Sequence, residues 1–185
     1  MGTLEELQKR FTDEIRYVDD IAQVVLKGHL VMEDLMTEAI QTFLFHGDMI
    51  EDAQFRFAQK IALCRGISTS EQSNGMWTLI AKINSLRNAL SHSLDLQRRA
   101  KAIEAVRLVY IQEFPDHAKF FEKVEGQKGE QMSKELAICL GAIAACIGFL
   151  HPHLEEVKRF KAMVVSVDAV ANGGAISRPE KVATK

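Results

Sequence analysis

The segment WTLIAKINSLRNALSH, residues 77–92, sets an arginine, an asparagine and a histidine late in an apolar stretch: Arg87, Asn88 and His92. An imidazole titrates near neutrality and suits proton transfer. A guanidinium stays charged and matches phosphate oxygens in pairs. At 100° per residue, Arg87 and His92 sit about 140° apart on an ideal helix, while Asn88 and His92, four apart, share a face. The helix geometry therefore supports an Asn–His pair more directly than an Arg–His pair. Both ends of the Arg–His pair enter one cleft only if the helix ends or distorts near Leu90, or if the long Arg87 side chain bends around. The structural alternative is that Arg87 pairs with an acid of another helix, Glu33 or Glu38, and that Asn88 and His92 only terminate their own.

Other groups carry weaker signals. Arg98, Arg99, Lys101 and Arg107 follow the segment, so residues 86–107 hold five basic side chains against Asp95 and Glu104. Such a run can track an RNA backbone, although a solvated helix face is the simpler account. His151-Pro152-His153 reads as a turn rather than a metal site. The EGQKGEQ stretch (125–131) lacks the Gly-Lys-Ser/Thr of a phosphate loop. No Ser/His/Asp set or paired-carboxylate site follows from the spacing, and no metal or cofactor is implied. Cys64, Cys139 and Cys146 are odd in number and form no CxxC, which points away from a disulfide framework or zinc site and toward a reducing compartment.

The elements that must position these residues all read as helices. Leu4, Leu7, Phe11, Ile15, Val18 and Val25 form one apolar stripe that Gly28 interrupts. Leu30–Phe45 forms a second helix, with Leu35, Ala39 and Phe43 on one face, and residues 50–65 a third, closed by Gly66. After the polar turn 68–75, Asn74 caps a fourth helix from Met76 to about Leu90. Asp95 caps a fifth, with Ile103, Val106 and Tyr110 facing inward, before Pro115. A short helix follows over 116–124. Ser133 opens an apolar helix over 136–150, broken at His151-Pro152-His153. A last helix covers 154–167, and the chain from Ala171 onward reads as a loose tail. Within the apolar helix, Gly141, Ala145 and Gly148 make a small-residue stripe that suits a core helix or a dimer seam. Only Val164-Val165-Ser166-Val167 has β character. The expectation is an all-α bundle of about six to eight helices.

The arrangement resembles the signature of the HEPN superfamily (higher eukaryotes and prokaryotes nucleotide-binding). There an Arg, a polar residue that is usually Asn, and a His four to six residues on stand late in an apolar helix. The layout before it is similar too: a helix with Glu33, Asp34 and Glu38, one containing Phe57-Ala58-Gln59-Lys60-Ile61, a turn, then the motif helix. It looks most like the branch that holds the mannitol operon repressors. The resemblance covers about residues 29–112. It divides the chain into a HEPN-like bundle (1–114), a C-terminal helical extension packed on the same core (115–170) and a tail (171–185).

The resemblance implies a metal-independent endoribonuclease of toxin or defence type, cleaving RNA by attack of the ribose 2′-hydroxyl. His92 would be the acid/base group, Arg87 the phosphate clamp and Asn88 the orienting residue, with two motifs meeting across a homodimer. Arg98, Arg99 and Lys101 would bind RNA, and an antitoxin or regulator is the expected protein partner. The mannitol-repressor relatives resemble the nuclease fold yet act through protein contacts, so the alternative is a non-catalytic regulatory module. Ser93-Leu94 follow His92 where a toxin subgroup has Tyr one residue on, which argues against control by nucleotidyl transfer to that Tyr.

Charge and hydropathy limit the location. Net charge is −2, with 6 Lys and Arg against 12 Asp and Glu in residues 1–60 and 17 against 13 in the remainder. That is no general nucleic-acid binder's excess, but it permits an acidic and a basic face. The start, MGTLEELQKRF, is charged and helix-like rather than a signal peptide. Residues 136–150 are short for a membrane span, so a cytoplasmic protein without membrane contact is expected.

Overall fold

Helix starts are set by side chains that satisfy amides with no partner inside the helix. The computed structural model of the chain describes residues 20–50, 53–69, 74–92, 95–118 and 133–174. Asn74 Oδ1 accepts from the Met76 amide at 2.9 Å, opening the helix Gly75–His92. Asp95 Oδ1 accepts from the amides of Gln97 and Arg98 at 2.9 and 3.3 Å, opening Leu96–Glu113. Ser133 Oγ accepts from the Leu136 amide at 3.2 Å, opening Lys134–Ala171. With Asp20–Phe43 and Phe57–Ile67 these make five helices, numbered α1 (20–43), α2 (57–67), α3 (75–92), α4 (96–113) and α5 (134–171). A single 3-10 turn, Gly47–Ile50, follows α1, and a helical turn begins at 115–118. Every regular element among the described residues is helical, so the chain is an all-α bundle.

Three sequence expectations are corrected. Gly28 does not interrupt α1, which runs unbroken through it. A Cβ at Gly28 would meet Ile143 Cγ2 at 2.5 Å, so the glycine is there to let α1 and α5 approach closely. Nor does His151-Pro152-His153 break the C-terminal region into two helices: α5 is one helix of 38 residues with Pro152 inside it. Pro152 cannot donate to the Gly148 carbonyl, but both residues lie on an exposed face of the helix. The β-flavoured 164–167 stretch is part of the same helix, and α5 ends at Ala171 before Gly173 and Gly174, both at positive φ. The third helix starts at Phe57, not at residue 50. The expected stripe before residue 20, the 119–124 part of the short helix, the 125–131 loop and the tail beyond 174 lie outside the described residues.

Contact pairs that advance together show which helices run side by side in the same direction. Gly28 lies beside Ile143, Glu38 beside Lys158 and Phe43 beside Phe160, so α1 and α5 are parallel. His29–Phe57, Glu33–Lys60 and Met36–Cys64 do the same for α1 and α2. Gly75 at the start of α3 lies beside Glu113 at the end of α4, so α4 runs back along α3. The core is mainly aliphatic. Leu79, Ile80, Ile83 and Leu86 bury one side of α3 completely, against Met32 and Met36 of α1 and Leu150 of α5. Ile103, Val106 and Tyr110 face inward as expected, and Tyr110 packs over Gly141. Cys64, Cys139 and Cys146 are buried and form no disulfide. Burial pushes the Cys64 thiol up to about 12 and Cys146 up as well, so neither is a nucleophile near neutrality. By length and composition α5 is apolar enough to cross a membrane, yet 44% of its most apolar window is buried in the bundle.

Candidate functional site

The buried side of α3 leaves Asn84, Arg87 and Asn88 on an adjoining strip, each half-buried. That strip meets α1 and α2 in a polar cluster. His29, only 5% exposed, has its Nε2 at 3.1 Å from Asn84 Oδ1 and its ring stacked on Phe57 at 3.9 Å between centroids. One turn along α1, Glu33 Oε2 lies 3.8 Å from His29 Nδ1. The other Glu33 oxygen takes Lys60 Nζ at 2.8 Å, with the lysine side chain only 13% exposed. Arg87 Nη1 donates to Asn88 Oδ1 at 3.2 Å.

The electrostatics of His29 follow from this setting. Burial pushes its imidazole below the usual range. The Asn84 hydrogen bond and the Glu33 carboxylate favour the charged form but do not outweigh burial, which Arg87 and Lys60 reinforce. His29 is therefore neutral near pH 7 and serves α1–α3 packing.

Arg87 is not locked to the acids expected of it. Glu33 is taken by Lys60, and Glu38 by Lys158 Nζ at 3.0 Å. Among the described residues no carboxylate pairs with Arg87. Among the described residues of the cluster, Lys60 and Arg87 thus stand against Glu33 alone, one positive charge in excess. A half-buried guanidinium without a counter-ion favours an anion that offers paired oxygens.

Of the predicted trio, the structure brings Arg87 and Asn88 together. His92 is the last residue of α3, which runs to it without a break. Its side chain lies outside the described residues. On that unbroken helix Asn84, Asn88 and His92 recur every four residues along one face, with Arg87 about 60° to the side of Asn84.

The predicted RNA-binding residues do not form one track. Arg98 and Lys101 are exposed on α4. Arg99 instead lines a cleft of about 770 Å3 between α1, α4 and α5, shared with Arg107 and Lys134 and floored by Ile103 and Ile138. Arg107 is taken by Glu104 through two hydrogen bonds, 2.6 and 2.7 Å, which hold the Glu104 carboxyl below its usual range. His151 and His153 do not face a common site: the first is exposed and the second buried. Among the described residues no group of three or more His, Cys, Asp or Glu is placed to hold a metal ion.

Sequence reasoning missed His29, Lys60 and Asn84 as members of the cluster. The i, i+4 spacing of His29 and Glu33 was the one local signal for it. Compared with known proteins, the chain matches no family model, no curated protein and no solved structure.

Proposed function

We propose that the chain is a metal-independent endoribonuclease of the HEPN kind, acting in the cytoplasm as a toxin or defence effector. The observation that carries this reading is Arg87: half-buried, hydrogen-bonded to Asn88, and without a carboxylate partner among the described residues. A phosphodiester supplies the negative charge the cluster lacks. In the reaction, His92 takes the proton of a ribose 2′-hydroxyl and the oxygen attacks the adjacent phosphorus. The bond from phosphorus to the 5′-oxygen breaks, and an imidazolium returns a proton to that oxygen. The products are a 2′,3′-cyclic phosphate and a 5′-hydroxyl. Arg87 neutralises charge on the non-bridging oxygens, and Asn88 holds the guanidinium. Asn84 and His29 are positioning residues that fix α3 against α1. A homodimer placing two α3 ends together completes the cleft, with Arg98 and Lys101 extending its cationic border.

The test is cleavage of a short RNA by purified protein in EDTA. Wild type yields cyclic-phosphate ends and His92→Ala is slowed by at least about 100-fold. Equal cleavage by both removes His92 from the mechanism.

A second reading, a non-catalytic helical regulator, is favoured by one observation. Phe160, Met163, Val167 and Val170 recur at three- and four-residue spacing on α5 and are all exposed, a stripe that fits a protein partner. It predicts no RNA cleavage and a stable heteromeric complex.

A further inference from the structure

Helix α5 carries one exposed face along most of its length. Ala145, Gly148 and Pro152 lie on its first half, half-buried or exposed, and Glu156 and Arg159 are exposed at its middle. Met163, Val167 and Val170 follow on its last turns, 56, 60 and 88% exposed. The spacing of these residues repeats as three, four and four. That 11-residue period keeps them on one nearly straight face of the helix. The spacing also reads the same from either end, as an antiparallel pair of identical helices requires.

The two halves of the face differ in size. A groove of about 610 Å3 runs beside the small half, floored by Gly141, Ala145 and Gly148 and walled by Tyr110, Phe114 and Phe149. A Cβ at Gly148 would meet nothing within 4 Å, so the groove is open there to an incoming side chain. The large half ends without exposed charge: between Lys161 and the end of α5 the one charged residue is Asp168, which is buried. A two-fold interface uses the same surface on both partners, so charges of one sign on it would repel across the axis. This face has none over 162–171.

Charge at the middle of the face selects one register. Glu156 accepts from the Thr69 hydroxyl and Arg159 donates to the Glu155 carbonyl, and neither makes an ion pair among the described residues. In an antiparallel pair that sets each Glu156 opposite the partner's Arg159, Met163 falls opposite the partner's Pro152. Val167 then falls opposite the partner's Gly148, and Val170 opposite the partner's Ala145. One register thus pairs opposite charges and lays each large residue on a small residue or on proline. A parallel pair would instead set Glu156 against the partner's Glu156 and leave the small halves facing each other across a gap.

We propose that α5 pairs antiparallel with α5 of a second copy of this chain, the 163–170 stripe of each lying in the 145–152 groove of the other, with Glu156 and Arg159 pairing at the two-fold axis. Met76, at the start of α3, lines the groove, and Arg87 stands about 16 Å further along that helix. The interface is therefore separate from the Arg87 cluster and does not depend on the nuclease reading.

Sedimentation equilibrium of the full chain tests it. Reversible association is expected at chain concentrations up to about 100 μM. Val167→Glu puts a charge in the partner's apolar groove and weakens association at least about tenfold. Glu156→Arg sets like charges together twice and weakens it at least about threefold, while Glu156→Arg combined with Arg159→Glu returns it to within about twofold of wild type. All these positions are exposed, so thermal midpoints of the dissociated chains stay unchanged. A chain that stays monomeric leaves the stripe to a partner of another sequence and overturns the proposal. Association that Val167→Glu leaves unchanged uses another face, such as the α3 ends, and overturns it too. So does a double swap no tighter than Glu156→Arg alone.

Discussion

His29 sits among charges where α1, α2 and α3 meet, its Nε2 bonded to Asn84, whereas His153 sits among aromatic rings on α5 with its Nε2 unpartnered. Both are 5% exposed, and burial lowers the affinity of both for protons. The difference lies in what each burial leaves over. Around His29 the imidazole is satisfied and, among the described residues, the surplus is positive charge, at Arg87. Around His153 the charge balance is unremarkable and the surplus is one hydrogen-bonding nitrogen. A surplus charge near the surface can call for an anion, whereas an unmet nitrogen sealed from solvent is only a cost to stability.

The sharpest way to break that comparison is to remove the surplus charge. On the nuclease proposal, Arg87→Ala lowers RNA cleavage in EDTA by about 100-fold or more, since it deletes the group proposed to face the developing phosphate charge. The same substitution leaves the thermal midpoint unchanged. Loss of cleavage together with a lowered midpoint would show a folding defect instead.

Stability separates the histidines next. His29→Leu strands Asn84 Oδ1 without its donor and costs about 1–3 kcal/mol. His153→Leu removes an orphaned polar atom and stays within about 0.5 kcal/mol of wild type or gains. Urea midpoints at constant m-value measure both, and equal costs would erase the distinction drawn here.

The pH dependence sharpens what the two share. Histidines in the unfolded chain take up protons below about pH 6.5, while native His29 and His153 resist. The unfolded state therefore binds more protons, and stability falls as pH drops from 7 toward 5.5. Thermal midpoints across that window fall less steeply in a His29→Leu/His153→Leu double variant. The smallest effect is expected at the exposed Glu104–Arg107 pair. Arg107→Ala changes stability by less than about 1 kcal/mol, an effect that shrinks further in high salt.

What was legible in the sequence was what is local. Asn74, Asp95 and Ser133 each satisfy an amide two or three residues on, so the starts of α3, α4 and α5 follow from a few neighbouring residues. Gly28 and Pro152 misled because punctuation residues are read by local cost. Tertiary packing of Gly28 against Ile143, and solvent exposure at Pro152, offset that cost. The same divide runs through the site. Arg87 and Asn88 are adjacent in sequence and were read together. His29 and Asn84 are 55 residues apart and Glu33 and Lys60 are 27 apart, joined only by the way three helices pack. The unmet nitrogen of His153 had no sequence signal, because it depends on what α5 fails to offer at that depth.

The central claim is that the Arg87 guanidinium is held open for a phosphodiester, and the direct measurement separates binding from catalysis. A 2′-O-methyl oligoribonucleotide, which lacks the attacking hydroxyl, is titrated calorimetrically into wild type and Arg87→Ala at low salt. The expected result is wild-type binding that weakens as salt rises, with Arg87→Ala at least tenfold weaker at an unchanged thermal midpoint. Equal affinity of the two proteins, or no wild-type binding at low salt, would contradict it.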